Sequence, residues 1–379
     1  MSRRVMFYAQ HLLGIGHLKR ASLIARGMAV AGLDVSVVLG GREVPGVNFE
    51  GCARILLPSV HAADASFKNL LDENDQPIDD AWRDRRVARL MMEYDALRPD
   101  VLIIELFPFG RRMFAFELLP LLSAARADQR SPHILCSIRD ILVGKPDPER
   151  NRKSVACARR FFDRVLVHGD PRLVPIEASF PPIAEVSDLL SYTGYVVDRS
   201  DRAARSSNTL GSGEVIVSVG GGAVGLPLLR AALAAKPLSS LAGRTWRLIA
   251  GPNLPEEAFA ALAWTKPPGV IVERWRDDLP ALFKNCLLSI SQAGYNTVMD
   301  LLFAGTRAVL VPFADAGESE QALRASVLEQ RGRVATAPAA GLSPEILAAA
   351  IERALTLPPA SVDIDCSGVE KTTKIVETL

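Results

Sequence analysis

His17 and Glu105 are the first pair of side chains in this 379-residue sequence that could move a proton together. His17 closes the turn Gly14-Ile15-Gly16-His17, which follows the apolar run Val5 to Tyr8 and opens the helical pattern Leu18 to Ala31. A histidine at a helix N-terminus meets the positive end of the helix dipole. That lowers its pKa from about 6.5 and keeps the ring neutral, as a general base requires. Glu105 ends the apolar run Val101 to Ile104. A carboxylate there could accept a hydrogen bond from the far ring nitrogen, fixing the tautomer and stabilising the imidazolium formed on proton transfer. The other readings are a histidine that caps a turn and a surface glutamate beside a loop. Arg139 and Asp140 also end an apolar run and read as a structural ion pair.

A different chemistry, anion binding, is written into the second half. The apolar run Leu287 to Ile290 stops at the small-polar turn Ser291-Gln292-Ala293-Gly294, and a helix opens at Tyr295-Asn296-Thr297. Unpaired N–H groups and the helix dipole attract a phosphate at such a place. Asp300 then lies about two turns inside the helix, within reach of a ribose diol attached to that phosphate. A further apolar run, Arg307 to Pro312, leads to a loop carrying Glu320, Gln321 and Arg324. Upstream, Val215 to Val219 runs into Gly220, Gly221 and Gly222, whose backbone can approach phosphate oxygens closely. The pattern is neither a P-loop nor a dinucleotide fingerprint, since no Gly-Lys-Ser/Thr follows and Gly14-Ile15-Gly16 lacks its third glycine. The one Asp-x-Asp, Asp363-Ile364-Asp365, follows a Leu-Pro-Pro break rather than a strand and reads as a decoy for a metal site.

The elements that must hold these residues alternate twice along the chain. Apolar runs at Val5 to Tyr8, Val35 to Leu39, Val101 to Ile104, His133 to Ile138 and Val165 to Val167 are separated by helical patterns, including Arg111 to Ala125. A polar Ser- and Gly-containing stretch follows Val196 and reads as a linker. The alternation then restarts at Val215 to Val219, Trp246 to Ala250, Val270 to Val272, Leu287 to Ile290 and Ala308 to Val311. Two domains are expected, residues 1–195 and 196–379, with the last helix able to pack back on the first. Asp64 to Arg89 reads as one long irregular, charged and solvated insertion.

Composition narrows the class. The 44 basic and 43 acidic residues leave a net charge of +1, which gives no electrostatic argument for nucleic acid. The five cysteines have no paired spacing and read as reduced core residues of a cytoplasmic protein. No run approaches the roughly twenty apolar residues that span a bilayer, and the N-terminus has no cleavable leader pattern. The segment Phe107 to Phe114 mixes aromatics with Arg111 and Arg112, as a surface touching anionic headgroups would, although a core helix from Met113 to Leu122 accounts for much of it.

The segment SQAGYNTVMDLLFAGTRAVLVPF, followed by EQALRA, resembles the nucleotide-sugar lobe of the GT-B glycosyltransferases. Within them it looks most like glycosyltransferase family 28, the group of the peptidoglycan lipid-linked N-acetylglucosaminyltransferase. The resemblance runs from about Val215 to Gly332 and is weaker in the first half. It implies an α/β protein of two Rossmann-like doubly wound domains facing across a cleft: an acceptor-binding first domain and a nucleotide-sugar-binding second. Carried over by position, Ser291, Ala293, Gly294 and Thr297, with Asn296 between them, would hold the diphosphate. Asp300 would grip the ribose, where relatives more often have glutamate. Glu320 and Gln321 would meet sugar hydroxyls, and the backbone near Arg276 would read the base. Arg324 stands where relatives often have asparagine, and Gly220 to Gly222 would line the donor site. His17 matches the Gly-His turn of the superfamily. Glu105 falls where the natural-product branch places its histidine-orienting aspartate, an acid that the peptidoglycan branch lacks.

The resemblance therefore implies transfer of a sugar, from a UDP-sugar in the first instance, to an acceptor hydroxyl with inversion. No metal or cofactor is required by that scheme. The partners would be the nucleotide sugar and a small-molecule or lipid-linked acceptor, with no nucleic acid, in the cytoplasm or at the inner face of the membrane. A nucleotide-sugar 2-epimerase of the same fold would need acid-base groups on both faces of the sugar and no acceptor. A non-catalytic nucleotide-sugar-binding protein would leave His17 idle.

Overall fold

The computed structural model describes residues 2–379 apart from 13–15, 45, 63–68, 143–146, 199–208, 222–224, 277, 314–319 and 360–362. The chain divides into two compact units, Met1–Val196 with Ile364–Leu379, and Val197–Asp363.

In the first unit, β1 (Arg4–Ala9), α1 (Gly16–Val30), β2 (Asp34–Leu39) and β3 (Ala53–Leu56) are followed by a short antiparallel pair, β4 (His61–Ala62) and β5 (Leu70–Leu71). Then come α2 (Asp80–Leu97), β6 (Val101–Glu105), α3 (Ala115–Ala127), β7 (His133–Arg139), α4 (Pro148–Phe161), β8 (Arg164–His168) and β9 (Leu190–Tyr192). Seven strands form one parallel sheet in the order β3-β2-β1-β6-β7-β8-β9. The central strands read as unbroken apolar runs because helices cover both faces, and Met6, Phe7, Tyr8 and Ile104 are fully buried. From β1 the chain leaves to β2 on one side and later enters β6 on the other. The carboxyl ends of β1 and β6 therefore flank the point where the winding reverses, which is where open parallel sheets bind ligands.

Residues 80–89 correct the reading of a solvated insertion. They are the first half of α2, capped by Asp79, whose side chain accepts from the Trp82 amide at 2.7 Å. The inward stripe is Trp82, Arg86, Leu90 and Tyr94, spaced four residues apart. Arg86 hid the stripe by counting as polar. It is fully buried, bonded to Glu117 at 2.6 Å and to Gln10 at 2.6 Å, and stacked near Trp82 and Phe114. The short strands β3 and β9 at the sheet edges also escaped the apolar-run criterion, because edge strands are only partly buried.

The second unit holds β10 (Val215–Ser218), α5 (Leu226–Ala235), β11 (Trp246–Ile249), α6 (Glu256–Thr265), β12 (Val270–Glu273), α7 (Leu279–Asn285), β13 (Leu288–Ser291) and α8 (Tyr295–Ala304). It continues with β14 (Ala308–Leu310), α9 (Glu320–Gln330), β15 (Ala335–Thr336) and α10 (Pro344–Thr356). Its parallel sheet runs β12-β11-β10-β13-β14-β15, so here the winding reverses between β10 and β13. Gly305 ends α8 in the left-handed region at φ +70°, where its N–H bonds the Leu301 and Leu302 carbonyls.

The chain then returns to the first unit. The Asp365 carbonyl accepts from the Tyr195 amide at 2.6 Å, and the Asp365 amide donates to Asp170 at 2.9 Å. Its carboxylate takes the Ser367 amide and the Lys371 ammonium, so this aspartate anchors a chain reversal. The last helix, α11 (Gly368–Thr378), packs Val369 and Val376 into the same core as α1. Gly27 on α1 makes the contact possible, since a Cβ there would fall 2.1 Å from Val369 Cγ1. Gly27→Leu should therefore push α11 off α1 and destabilise the first unit by about 1–3 kcal/mol. Denaturant unfolding and faster tryptic cleavage at Lys371 and Lys374 measure this; unchanged values would refute the packing account.

Candidate functional site

In the first unit the site grows from strand register. Val5 of β1 pairs with Val101 of β6, and Glu105 of β6 lies opposite Ser137 of β7. α1 begins at Gly16, which puts His17 in its first turn. His17 Nδ1 lies 2.9 Å from Glu105 Oε1. Arg20 Nη2 lies farther from the same nitrogen, at 3.2 Å; because the nearer partner, a carboxylate, only accepts, Nδ1 carries the proton toward Glu105 and Nε2 keeps a lone pair.

Glu105 is 1% exposed and is held from three sides. Besides His17, Arg20 Nη2 bonds Oε1 and Ser137 Oγ donates to Oε2 at 2.6 Å. Ser137 Oγ also lies 3.0 Å from His168 Nε2, and His168 Nδ1 lies 2.8 Å from Thr193 Oγ1. Since the Ser137 proton goes to Glu105, His168 Nε2 must donate to Ser137 and Thr193 must donate to His168 Nδ1. One consistent proton order thus runs Thr193, His168, Ser137, Glu105, with His168 neutral. Burial holds His168 well below the usual imidazole range, with Arg20 adding to the effect. His17 is lowered in the same direction, first by burial and then by Arg139, Arg20 and Arg111. The ring is therefore neutral, as a base must be.

In the second unit, Val215 pairs with Trp246 and Leu288, and Ser218 lies opposite Ser291. This register sets the turn after β10 beside the turn after β13. Gln292 ties the two by donating its amide to the Ser218 carbonyl at 3.2 Å. Gly220 sits at φ +59°, and nothing lies within 4 Å of where its Cβ would be; the same open space lies before Gly294. The Gly221 carbonyl accepts from the Asn253 amide at 3.0 Å. Gly222 lies outside the described residues. The N-cap of α8 is Gly294, which has no side chain to cap it, and Gly294, Asn296 and Thr297 are partly exposed. Asn296, Thr297 and Asp300 are spaced three and four residues apart and share one face of α8.

The remaining donor candidates are built into the scaffold. Ala293 and Ser291 are fully buried, and Ser291 Oγ lies 2.7 Å from Ser289 Oγ. Arg324 is fully buried; it donates to the Ala293 carbonyl at 2.9 Å and to Glu320 at 2.8 Å, with its guanidinium over the Tyr295 ring. It thus braces the turn from behind. Gln321 Oε1 accepts from the Phe313 amide at 3.0 Å, closing the loop between β14 and α9. Arg276 is gripped by Asp278 at 2.6 and 2.8 Å and by Glu273 at 3.1 Å, and these bonds, that to Asp278 foremost, hold its pKa above the ordinary range.

Sequence reasoning missed Arg20, Ser137, His168 and Thr193. Arg20 had a signal, since it follows His17 by three residues on one helix face. The others come together only through strand register. The aromatic-arginine segment is not an apolar surface: Phe107, Phe109 and Phe114 are buried, Arg111 donates to the Gln10 carbonyl at 3.2 Å and Arg112 to Ser154 at 2.9 Å. Among the described residues no helix is long and apolar enough to cross a membrane, and no cluster of three His, Cys, Asp or Glu side chains is placed to hold a metal. None of the five cysteines is in a disulfide.

His11, His17 and His168 all have pKa values in the folded unit below the free value, His11 at about 4. Between the two values the unfolded chain binds the extra proton. Stability is thus fully present above about pH 6.5 and falls as the pH drops through it. His11 alone accounts for about 3 kcal/mol by pH 4. Replacing His168 by Gln should flatten the slope of unfolding free energy by about 1.4 kcal/mol per pH unit below pH 6.5. Parallel slopes for the two proteins would contradict the assignment.

Comparison with known proteins places this architecture. Residues 216–378 match the glycosyltransferase family 28 C-terminal domain. A UDP-N-acetylglucosamine–N-acetylmuramyl-(pentapeptide) pyrophosphoryl-undecaprenol N-acetylglucosamine transferase from Synechococcus sp. (strain CC9605) is 32% identical over 124 residues, 32% of this chain and 33% of that relative. The chain thus spans about a third of the length of such relatives. Among solved structures, the calicheamicin glycosyltransferase superposes with a TM-score of 0.62 at 14% identity, covering 100% of this chain and 94% of its own. MurG from Acinetobacter baumannii gives 0.60 at 16% identity, with 100% of both chains covered. The chain has the GT-B fold, and its residues 216–378 match the glycosyltransferase family 28 C-terminal domain.

Proposed function

We propose that this protein is a glycosyltransferase that moves a sugar from a UDP-sugar to an acceptor hydroxyl with inversion and without a metal. The family 28 match and the sugar-transferring relatives support the reaction class, and the UDP donor named for those relatives supports the nucleotide. The bond between His17 Nδ1 and Glu105 is the observation that carries the mechanism. His17 Nε2 takes the acceptor's hydroxyl proton while that oxygen attacks the anomeric carbon. The bond from that carbon to the diphosphate breaks on the opposite face, and the electron pair leaves with the nucleotide. The first turn of α8 and the Gly220-Gly221 turn take up the diphosphate's charge, and Asp300 holds the ribose. Glu105 stabilises the imidazolium, and Arg20 and Ser137 keep Glu105 in place.

The acceptor is a small molecule or, as for the relatives, a lipid-linked one. In the latter case the protein works in the cytoplasm at the inner face of the membrane.

His17→Ala should lower kcat by about 10²- to 10⁴-fold with donor affinity unchanged. With wild type, kcat/KM should stay level as the pH falls through 6.5, because His17 remains neutral there. The product anomer should be inverted, and activity should survive a chelator. Full activity in His17→Ala would reject the base; a retained anomer would reject the one-step displacement.

A further inference from the structure

Glu105 depends on a donor whose own proton has two places to go. Ser137 carries one hydroxyl proton, and its oxygen stands 2.6 Å from Glu105 Oε2 and 3.0 Å from His168 Nε2. A bare ring nitrogen would compete for that proton. Lone pairs of Ser137 and Glu105 would then face each other across 2.6 Å. Nothing on Ser137 itself decides the matter, because a hydroxyl turns about its bond to Cβ. The decision is made on the next strand.

His168 ends β8 and is fully buried. Its other nitrogen, Nδ1, lies 2.8 Å from Thr193 Oγ1. Two carbonyls also stand near that hydroxyl, Gly194 at 3.2 Å and Val167 at 3.4 Å, so the ring nitrogen is the nearest acceptor. The Thr193 amide donates to the Val167 carbonyl at 3.0 Å, which pins the residue just after β9. A threonine held there gives its proton to Nδ1, and the ring's own proton is left on Nε2, turned toward Ser137. The ring does not evade the choice by taking a second proton, since burial and then Arg20 keep it neutral. Ser137 and Thr193 are as buried as His168, so water does not replace a bond that is lost here.

We propose that His168 is a positioning residue for the base: its Nε2–H turns the Ser137 hydroxyl onto Glu105, and Glu105 so held keeps the proton of His17 on Nδ1. His168 acts through Ser137. Its service to sugar transfer rests on the function proposed above; the order of hydrogen bonds does not. A carboxylate that loses a donor holds a proton more tightly, so the His17–Glu105 pair should take up its proton at higher pH once Ser137 turns away. The other charges that face His17 are Arg20 of α1, Arg111 after β6 and Arg139 of β7, and all of them stay in place.

The test sets His168→Leu, which neither donates nor accepts, beside His168→Gln, whose carboxamide can donate to Ser137 and accept from Thr193. NMR of the ring nitrogens of His17 and His168 is followed against pH in the full chain without substrate, and kcat and KM are measured in parallel. His168→Leu should raise the proton affinity of the His17–Glu105 pair about tenfold and lower kcat about tenfold with KM unchanged, the worth of one hydrogen bond to a charged group. His168→Gln should restore both. Ser137→Ala should reproduce the leucine variant, and adding His168→Leu to it should change nothing more. A wild-type titration in His168→Leu, a glutamine variant no better than leucine, or additive effects in the double variant would each overturn the proposal. Wild type gives its own check should the leucine variant not fold: the His168 proton belongs on Nε2, and finding it on Nδ1 would overturn the proposal as well. The expected titrations in a protein that transfers no sugar would support the hydrogen-bond order and reject the proposed function.

Discussion

The first unit's chemistry depends on one buried carboxylate. Removing a carboxylate from water is tolerable only when charge and hydrogen bonds replace the lost hydration. Glu105 receives a guanidinium from Arg20, a hydroxyl from Ser137 and the imidazole of His17. These donors come from α1 and β7, so the site exists only when both pack correctly against β6. Removing one partner of such a buried group costs about 3–5 kcal/mol, because the other is left buried and uncompensated. The same bonds that make the dyad thus couple it to the integrity of the sheet.

Arg20 matters twice in this arrangement. As a permanent cation it compensates Glu105, and it also pushes the pKa values of His17 and His168 down. A lone histidine–carboxylate pair would raise the imidazole's pKa through the negative charge. Here burial and the cations Arg139, Arg20 and Arg111 outweigh it, and the ring stays neutral. The second unit solves the complementary problem. It sets the partly exposed Gly294, Asn296 and Thr297 at the start of α8 and braces that turn from behind with Arg324, fully buried against the Ala293 carbonyl and Glu320. Arg324 at the position of the family's usual asparagine is thus a scaffold residue in this chain.

Much of the fold was legible because parallel strands covered on both faces must be apolar along their whole length. The runs from Val5, Val35, Val101, His133 and Val165 all became central strands, with ends within two residues of those expected. What escaped detection was partly buried or polar. β3 and β9 are edge strands, and α2 buries Trp82 and Arg86 on a stripe that a count of charges hides. The positions of His17 and Glu105 could be read because His17 opens a helix and Glu105 ends a strand whose types the sequence declares. The rest of the network could not, since Ser137 and His168 look like ordinary strand residues until register sets β7 between β6 and β8. Likewise, the sequence suggests a donor turn but not that Gln321 and Arg276 are committed to their own loops.

The most direct test is calorimetry of the protein against UDP-, dTDP-, GDP- and ADP-sugars, with Asp300→Ala alongside. The account predicts that the UDP-sugars bind best and that the substitution weakens them at least about tenfold, the loss of a charge-assisted hydrogen bond to the ribose. Binding of no nucleotide sugar, or equal binding by Asp300→Ala, would contradict it.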